Sequence, residues 1–245
     1  MHNTMKPAIE SAEPASRPLS DRAYRTLRAA IVRCDFAPGE RLKLDALIAQ
    51  YGFSSSPLRE ALNRLTQEGL VRSLENRGFR VAPLSAEMLH DLTRMRLLVE
   101  SEALRLSMQN GGDEWETTVV AAFHRLSLLA ERRDAGQPID IAEWTERHRE
   151  FHMALFSGCA SPLLMQTAET YFTQAERYRR FAATQAREPR CKMPAHLGLM
   201  NAALARKQPE ALELLRKHIQ GTTDTVDAAL KKMGLPVALE ARRAA

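Results

Sequence analysis

The stretch from Glu146 to Leu155 reads ERHREFHMAL and holds two histidines, His148 and His152, with no glycine or proline between them. On a helix this four-residue spacing stacks both imidazoles on one face, one turn apart. Imidazole is the commonest metal ligand among side chains. The pair is therefore either half of a metal site or two surface histidines that share a face, and spacing alone leaves both readings open. A hydrolytic role is the other chemistry to weigh. Zinc proteases of the His-Glu-x-x-His type place a glutamate directly after the first histidine as general base. Here the glutamate is Glu150, two residues after His148, and a helix turns that position about 200° away. No Ser-His-Asp or Cys-His arrangement stands out elsewhere, and Cys159 has no evident base. The expectation is a protein that is not an enzyme, with a zinc-dependent hydrolase as a distant alternative.

The chain that must position these residues has 245 of them, with 44% apolar and 27% charged side chains. That composition is globular, and the length suits two domains better than one. Apolar runs are short and broken by Arg and Glu, so no membrane span is expected. The first twenty residues lack the apolar centre of a secretory signal. Three widely spaced cysteines, Cys34, Cys159 and Cys191, suggest reduced thiols in a cytoplasm rather than a disulfide framework. The net charge is +5, and the excess lies in residues 17–83, which hold 12 Lys and Arg against 7 Asp and Glu. A basic segment beside a nearly neutral one points to a polyanion-binding module joined to something else.

Within that segment, Tyr24, Leu27 and Ile31 recur at helical steps after two plausible caps, Ser20 and Asp21. Pro38-Gly39 makes a turn. A short helix from Leu44 to Tyr51 ends at Gly52. Three serines and Pro57 then open a third helix with an apolar stripe of Leu58, Ala61, Leu62 and Leu65, which Gly69 stops. Alternation around Asn76-Arg77-Gly78 reads as a β-hairpin. This order is that of a winged helix, whose third helix lies in the DNA major groove. Ser54, Ser55, Ser56 and Arg59 would face base edges, with Arg59 able to grip guanine O6 and N7. Arg64 and Arg72 would meet phosphates or nothing, and Arg77 with Gly78 would form the wing tip.

The string APGERLKLDALIAQYGFSSSPLREALNRLTQEGLVRSLENRGFRV resembles the DNA-binding domain of the GntR family of bacterial transcription regulators. The shared features are Pro-Gly, a Leu-rich helix, Ser-x-x-Pro-Leu-Arg-Glu-Ala-Leu, Glu-Gly-Leu-Val and Arg-Gly-x-x-Val. One departure stands out: the family usually has Arg directly after the first serine of the recognition helix, and this chain has Ser55. The resemblance then implies an operator that differs, or is read less stringently, at that base pair.

From Ser85 to about Lys232 the sequence reads only as helices, a bundle of about six. The fold class is therefore mainly α. Residues 1–18 read as a disordered tail and 19–83 as the winged helix-turn-helix. Residues 84–233 read as an effector-binding and dimerisation bundle, and 234–245 as a C-terminal tail. RMRLLVESEALRLS, HREFHMALFSGCAS and HLGLMNAALARKQPEALELLRKHI resemble the FCD class of GntR regulators. The spellings GGDEWE and RHREFHMALFSGCAS resemble the carbon-starvation-induced repressors of that class that respond to glutarate. The class's metal ligands fall here on His148, His152, His196 and His218, with His148 where Asp is usual. Imidazole in that place favours Zn²⁺ or Ni²⁺ over Mg²⁺ or Mn²⁺. His2, His90 and His124 have no partner at ligand spacing. Arg94, Arg96, Tyr178 and Arg179 are the candidates for gripping an anionic effector beside the ion.

These residues and the resemblance together imply a cytoplasmic homodimer that binds double-stranded operator DNA. Its expected mode of action is a repressor released by a small carboxylate, such as the dicarboxylate glutarate, at a metal-containing pocket. The alternative within this class is a regulator for which the divalent ion is itself the signal.

Overall fold

The computed structural model describes residues 18–74, 77–185 and 193–232. The two expected tails (apart from Pro18), Asn76 at the hairpin tip and Cys191 lie outside the described residues.

The N-terminal part runs α1 (Leu19–Val32), β1 (Arg41–Leu42), α2 (Leu44–Tyr51), α3 (Ser55–Gln67), β2 (Val71–Leu74) and β3 (Gly78–Val81). Its core forms where the apolar stripes meet. Leu27 and Ile31 of α1 pack on Leu58, Leu62 and Leu65 of α3, closed below by Leu42, Val71 and Val81 of the sheet. The sheet is antiparallel in the order β1-β3-β2, with Arg41 opposite Arg80 and Val71 opposite Val81. Gly78 has φ of +82°, a value at which a side chain is strained, so the turn into β3 requires glycine.

Two expected caps are corrected. Helix α1 begins before Ser20, with Pro18 in the cap position and no side-chain cap bond. Asp21 sits instead in the first turn and pairs with Arg25 (3.2 Å) and Arg64 (3.4 Å). Ser54 stands in the cap position of α3 but makes no cap bond. Three residues on is Pro57, which has no N–H to give. The three serine hydroxyls thus stay exposed at the mouth of the helix.

The C-terminal part is all helical: α4 (Ala86–Asn110), α5 (Asp113–Asp134), α6 (Ile141–Phe156), a 3-10 turn (Ser157–Cys159), α7 (Pro162–Gln185), α8 (Met193–Leu204) and α9 (Gln208–Lys232). Asp140 caps α6, accepting from the Ala142 N–H at 2.8 Å. The indole of Trp115 in α5 donates to the Ala154 carbonyl at 3.0 Å, which pins the far end of α6. The helix bearing the histidine pair is thereby fixed at both ends. Its inner face, Phe151 and Leu155, packs with Leu126, Leu199, Leu215 and Ile219 in one core. Fully burying a side chain of this size contributes about 1.5–3 kcal/mol.

Helix α7 joins the two parts. On one side Thr173 accepts from Arg28 of α1 at 2.7 Å, Gln174 donates to the Glu68 carbonyl at 2.6 Å, and Arg177 donates to the Ala82 carbonyl. The Tyr178 hydroxyl meets the backbone of Ser85 at 3.3–3.4 Å. Gly69, with φ of +72°, lies so near Gln174 that a Cβ there would meet its amide nitrogen at 3.1 Å. The glycine ends α3 and also admits α7.

Candidate metal centre

Helix α6 supplies His148 and His152, α8 supplies His196 and α9 supplies His218. One ring nitrogen from each of the four lies within 4.8 Å of the others. His148 Nε2 and His196 Nε2 are 3.2 Å apart. Two nitrogens held about 2.0–2.1 Å from one Zn²⁺ at the tetrahedral angle are roughly 3.3 Å apart, so that pair already has ligand spacing. The edge-to-face stacking of the rings, 4.6 Å between the centroids of His196 and His218 and 4.7 Å between those of His148 and His152, turns nitrogens toward a common point.

The strongest test of fit is His152. It is fully buried, and among the described residues neither ring nitrogen has a hydrogen-bond partner. Leaving a buried polar group unpaired costs about 1–3 kcal/mol, a cost that an ion at this point removes. Burial pushes the His148 and His152 pKa values well below 6.5, reinforced at His148 by Arg179 and at His152 by the neighbouring imidazoles. Both rings are therefore neutral at pH 7, the form that binds metal. Neutral nitrogen donors without a carboxylate fit Zn²⁺ or Ni²⁺ and not Mg²⁺ or Ca²⁺.

Two arginines flank the cluster around Phe172, a buried ring of α7 that sequence reasoning missed. Its centroid is 5.1 Å from that of His152 and 5.6 Å from that of His148, and the guanidinium carbons of Arg179 and Arg96 lie 4.6 Å and 5.4 Å from it. The seven-residue spacing of Phe172 and Arg179 on one helix face was the available signal. Arg96 pairs with Glu100 (2.6 Å) and Arg179 with Glu176 (2.5 Å), each through Nε and one Nη. Burial lowers the Arg179 pKa. Beside them, Thr93, Tyr178 and Thr223 line a crevice with room for no more than about one water.

The other effector candidates separate. Arg94 is corrected: it points outward, is 75% exposed and pairs with Asp91, because two residues on a helix differ by about 200° from Arg96. Tyr178 is buried at the seam with Ser85 and reaches the site only through that crevice. Glu150, the glutamate that the hydrolase reading would need, is engaged by Arg147 (3.0 Å) and Arg125 (3.4 Å).

In the N-terminal part, Arg59 and Arg77 with Gly78 line an open cleft between the start of α3 and the hairpin. Ser54, Ser55 and Ser56 are exposed at the start of the same helix. Arg41 and Lys43 line the cleft too. They were missed because β1 is two residues long and leaves no alternating pattern. Arg64, expected at phosphates or at nothing, keeps a side chain 38% exposed. It is held by Asp21 (3.4 Å) and lies 3.8 Å over the Tyr24 ring. Arg72 stands apart from the cleft, on the side of Arg177 and Tyr178, whose ionisation it influences.

Residues 19–81 match the family described as bacterial regulatory proteins, gntR family, and residues 91–221 match the FCD domain. The chain is similar to the HTH-type transcriptional regulator BphR of Paraburkholderia xenovorans (strain LB400), with 40% identity over 210 residues, 86% of either chain. It is similar to the HTH-type transcriptional repressor GlaR of Escherichia coli (strain K12), with 38% identity over 200 residues, 80% of this chain and 90% of that one. Its fold is similar to the solved structure of E. coli McbR/YncC, with a TM-score of 0.73 at 20% identity, covering 86% of this chain and 97% of that one.

Proposed function

Because the chain belongs to the GntR family of DNA-binding transcription regulators and carries an FCD domain, we propose that it is a cytoplasmic repressor released from its operator by a small carboxylate. The regulator class excludes an enzyme. The carboxylate binds in the helical bundle beside His148, His152, His196 and His218, which hold Zn²⁺ or Ni²⁺. Residues 19–83 read DNA, and residues 84–233 bind the effector and pair two copies, so that two winged helices reach half-sites about one DNA turn apart.

The observation that carries this reading is the four-histidine cluster, largely buried and with His152 unpaired among the described residues, set beside Arg96 and Arg179. When bound, the ion offers an open position to a carboxylate oxygen. The chain does the rest. Arg96 and Arg179 each keep one Nη without a partner among the described residues, and those N–H groups would take the second carboxylate of a dicarboxylate. Phe172 shields both from water. Exclusion of water strengthens such charge-assisted bonds. The motif resemblance to glutarate-responsive repressors of the FCD class and the two arginines favour a short dicarboxylate such as glutarate. Helix α7 carries Phe172 and Arg179 on the bundle side and Gln174 and Arg177 on the DNA-module side. A shift at the site is thus a shift at the seam.

The test is operator binding by metal-loaded protein titrated with short mono- and dicarboxylates, with thermal unfolding in parallel. A true effector raises the melting temperature by mass action and weakens operator binding. If every acid is inert while addition or removal of the ion switches DNA binding, the ion is the signal instead.

The DNA reading has its own test. Arg59→Ala is expected to cost about 1–3 kcal/mol at the operator and to flatten preference at one base pair. Lys43→Ala is expected to weaken all sequences alike and to reduce the salt slope by about one. Equal operator preference before and after Arg59→Ala in an anisotropy titration would remove Arg59 from base readout.

A further inference from the structure

Helix α3 ends at an acid. Glu68 stands at its C-terminal cap, where the helix dipole disfavours negative charge, so partners must hold it there. They come from both sides of the seam. The Glu68 carboxylate accepts from the Tyr24 hydroxyl of α1 and, at 3.0 Å, from Nε of Arg28. Burial, reinforced by the bond to Glu68, pushes the Tyr24 pKa up to about 12, so that hydroxyl stays a donor at neutral pH. The Glu68 carbonyl accepts from the Gln174 amide of α7 at 2.6 Å. The end of the recognition helix is thus gripped by its side chain and its main chain at once.

Arg28 carries this grip into the bundle. Its Nη2 donates to the Thr173 hydroxyl of α7 at 2.7 Å while Nε stays on Glu68. Thr173 is 4% exposed. The residue before it is Phe172, whose ring packs on those of His148 and His152 at 5.6 and 5.1 Å. Consecutive residues of one helix point about 100° apart and move together. One of this pair faces the histidines, and the other faces α1. A contact of about 3.6 Å is no longer a hydrogen bond, so a slide of α7 by about 1 Å detaches Thr173 from Arg28. The Arg28 side chain is 24% exposed and can then turn to water. Glu68 thereby loses the arm that ties it to the bundle.

We propose that Arg28 is the positioning residue that passes the state of the four-histidine centre to the recognition helix. Engaged with Thr173, it holds Glu68 and the end of α3 in register with α7. Released, it leaves α3 free to tilt in the seam. Arg177 and Tyr178 hold the main chain of Ala82 and Ser85 in either state, which makes them the hinge and Arg28 the catch. The proposal rests on the reading of His148, His152, His196 and His218 as a metal centre, and adds the side chain through which its occupancy acts.

The test is hydrogen exchange, read by mass spectrometry on the full-length chain stripped of metal and then loaded with Zn²⁺ alone. Two segments decide it: residues 148–156 at the cluster and residues 62–70 at the end of α3. In the wild type, Zn²⁺ is expected to slow exchange in both. Thr173→Val keeps the shape of the side chain and removes the acceptor. There the cluster is expected to slow as before, while the slowing in 62–70 falls about tenfold, the weight of one charge-assisted hydrogen bond in a local opening equilibrium. Thr173→Ser is expected to restore it, a rescue that packing alone would not give. Arg28→Met, a change outside the bundle core, is expected to match Thr173→Val. Undiminished slowing of 62–70 in either variant overturns the proposal, as does slowing that Thr173→Ser fails to restore. A wild type that slows at the cluster alone overturns it too and leaves the metal reading standing. Absence of slowing in both segments overturns the metal reading and the proposal with it.

Discussion

Replacing His152 by alanine is expected to lower affinity for Zn²⁺ or Ni²⁺ by more than about 100-fold, since loss of a mere outer-shell partner typically costs 10–100-fold. His152 is the most enclosed of the four rings and has both nitrogens unpaired without an ion. Its loss removes a donor from the centre of the cluster, and no carboxylate stands among the four to replace it. In the wild type, an ion at about a thousand times its dissociation constant adds about 4 kcal/mol of stability; the variant should lose that gain. It should also lose release of the operator by the carboxylate. Binding of DNA without effector should persist, because the DNA-reading part has a core of its own around Leu27, Leu58 and Leu62. His148→Asp should keep the metal and bind a dicarboxylate less well, through one added negative charge. Metal analysis by mass spectrometry and an operator titration decide the matter. A variant that retains a full ion, or that still releases DNA on adding the acid, would exclude His152 from the site.

Acidification is expected to unfold the metal-free bundle early. The folded chain holds His148 and His152 neutral, with pKa values well below 6.5 because of burial first, then Arg179 at His148 and the neighbouring imidazoles at His152. The unfolded chain takes up protons near 6.5. Their contribution to stability is thus full above about pH 6.5 and is lost as pH falls below it, until the folded pKa values are reached. The slope is up to about 1.4 kcal/mol per pH unit for each ring. Urea midpoints between pH 7.5 and 5 should fall accordingly, and His152→Gln should flatten the slope. An equal slope in the variant would place the acid sensitivity elsewhere. The same series separates two ways of holding the effector. A carboxylate held through an ion loses affinity as the ligand imidazoles protonate; one held by imidazolium gains affinity over the same range.

The winged part was legible from its sequence because each element carries its own punctuation: Pro38-Gly39, Gly52, Pro57 and Gly69 mark every boundary. The bundle's helices were legible for the same reason, but the metal cluster was not. His148 and His152 declare themselves by spacing, whereas His196 and His218 lie on other helices and became ligand candidates only through the family resemblance. Arg94 and Arg96 were offered together for the effector. The apolar rhythm Leu89, Leu92, Arg96, Ala103 already places Arg96 inward and Arg94 outward, so that choice was readable. The fates of Arg64 and Arg72 were not, since both depend on groups distant in sequence: the Asp21 carboxylate for one, the charge field of Arg177 and Tyr178 for the other.

Helix α7 holds the DNA-reading part largely by its main chain. Gln174 grips the Glu68 carbonyl and Arg177 the Ala82 carbonyl, beside one side-chain bond from Arg28 to Thr173. A carbonyl is present whatever side chain it belongs to. On the reading proposed above, exchange of Ser55, Arg59 or Arg77 would change the operator without disturbing this joint. The same grammar makes the molecule a good parent for chimaeric biosensors. A foreign winged helix grafted up to residue 83 meets the same hydrogen-bonding surface, provided it keeps glycine at the position of Gly69. What the lineage is free to rewrite is the address, while the conditions of delivery stay fixed in the bundle.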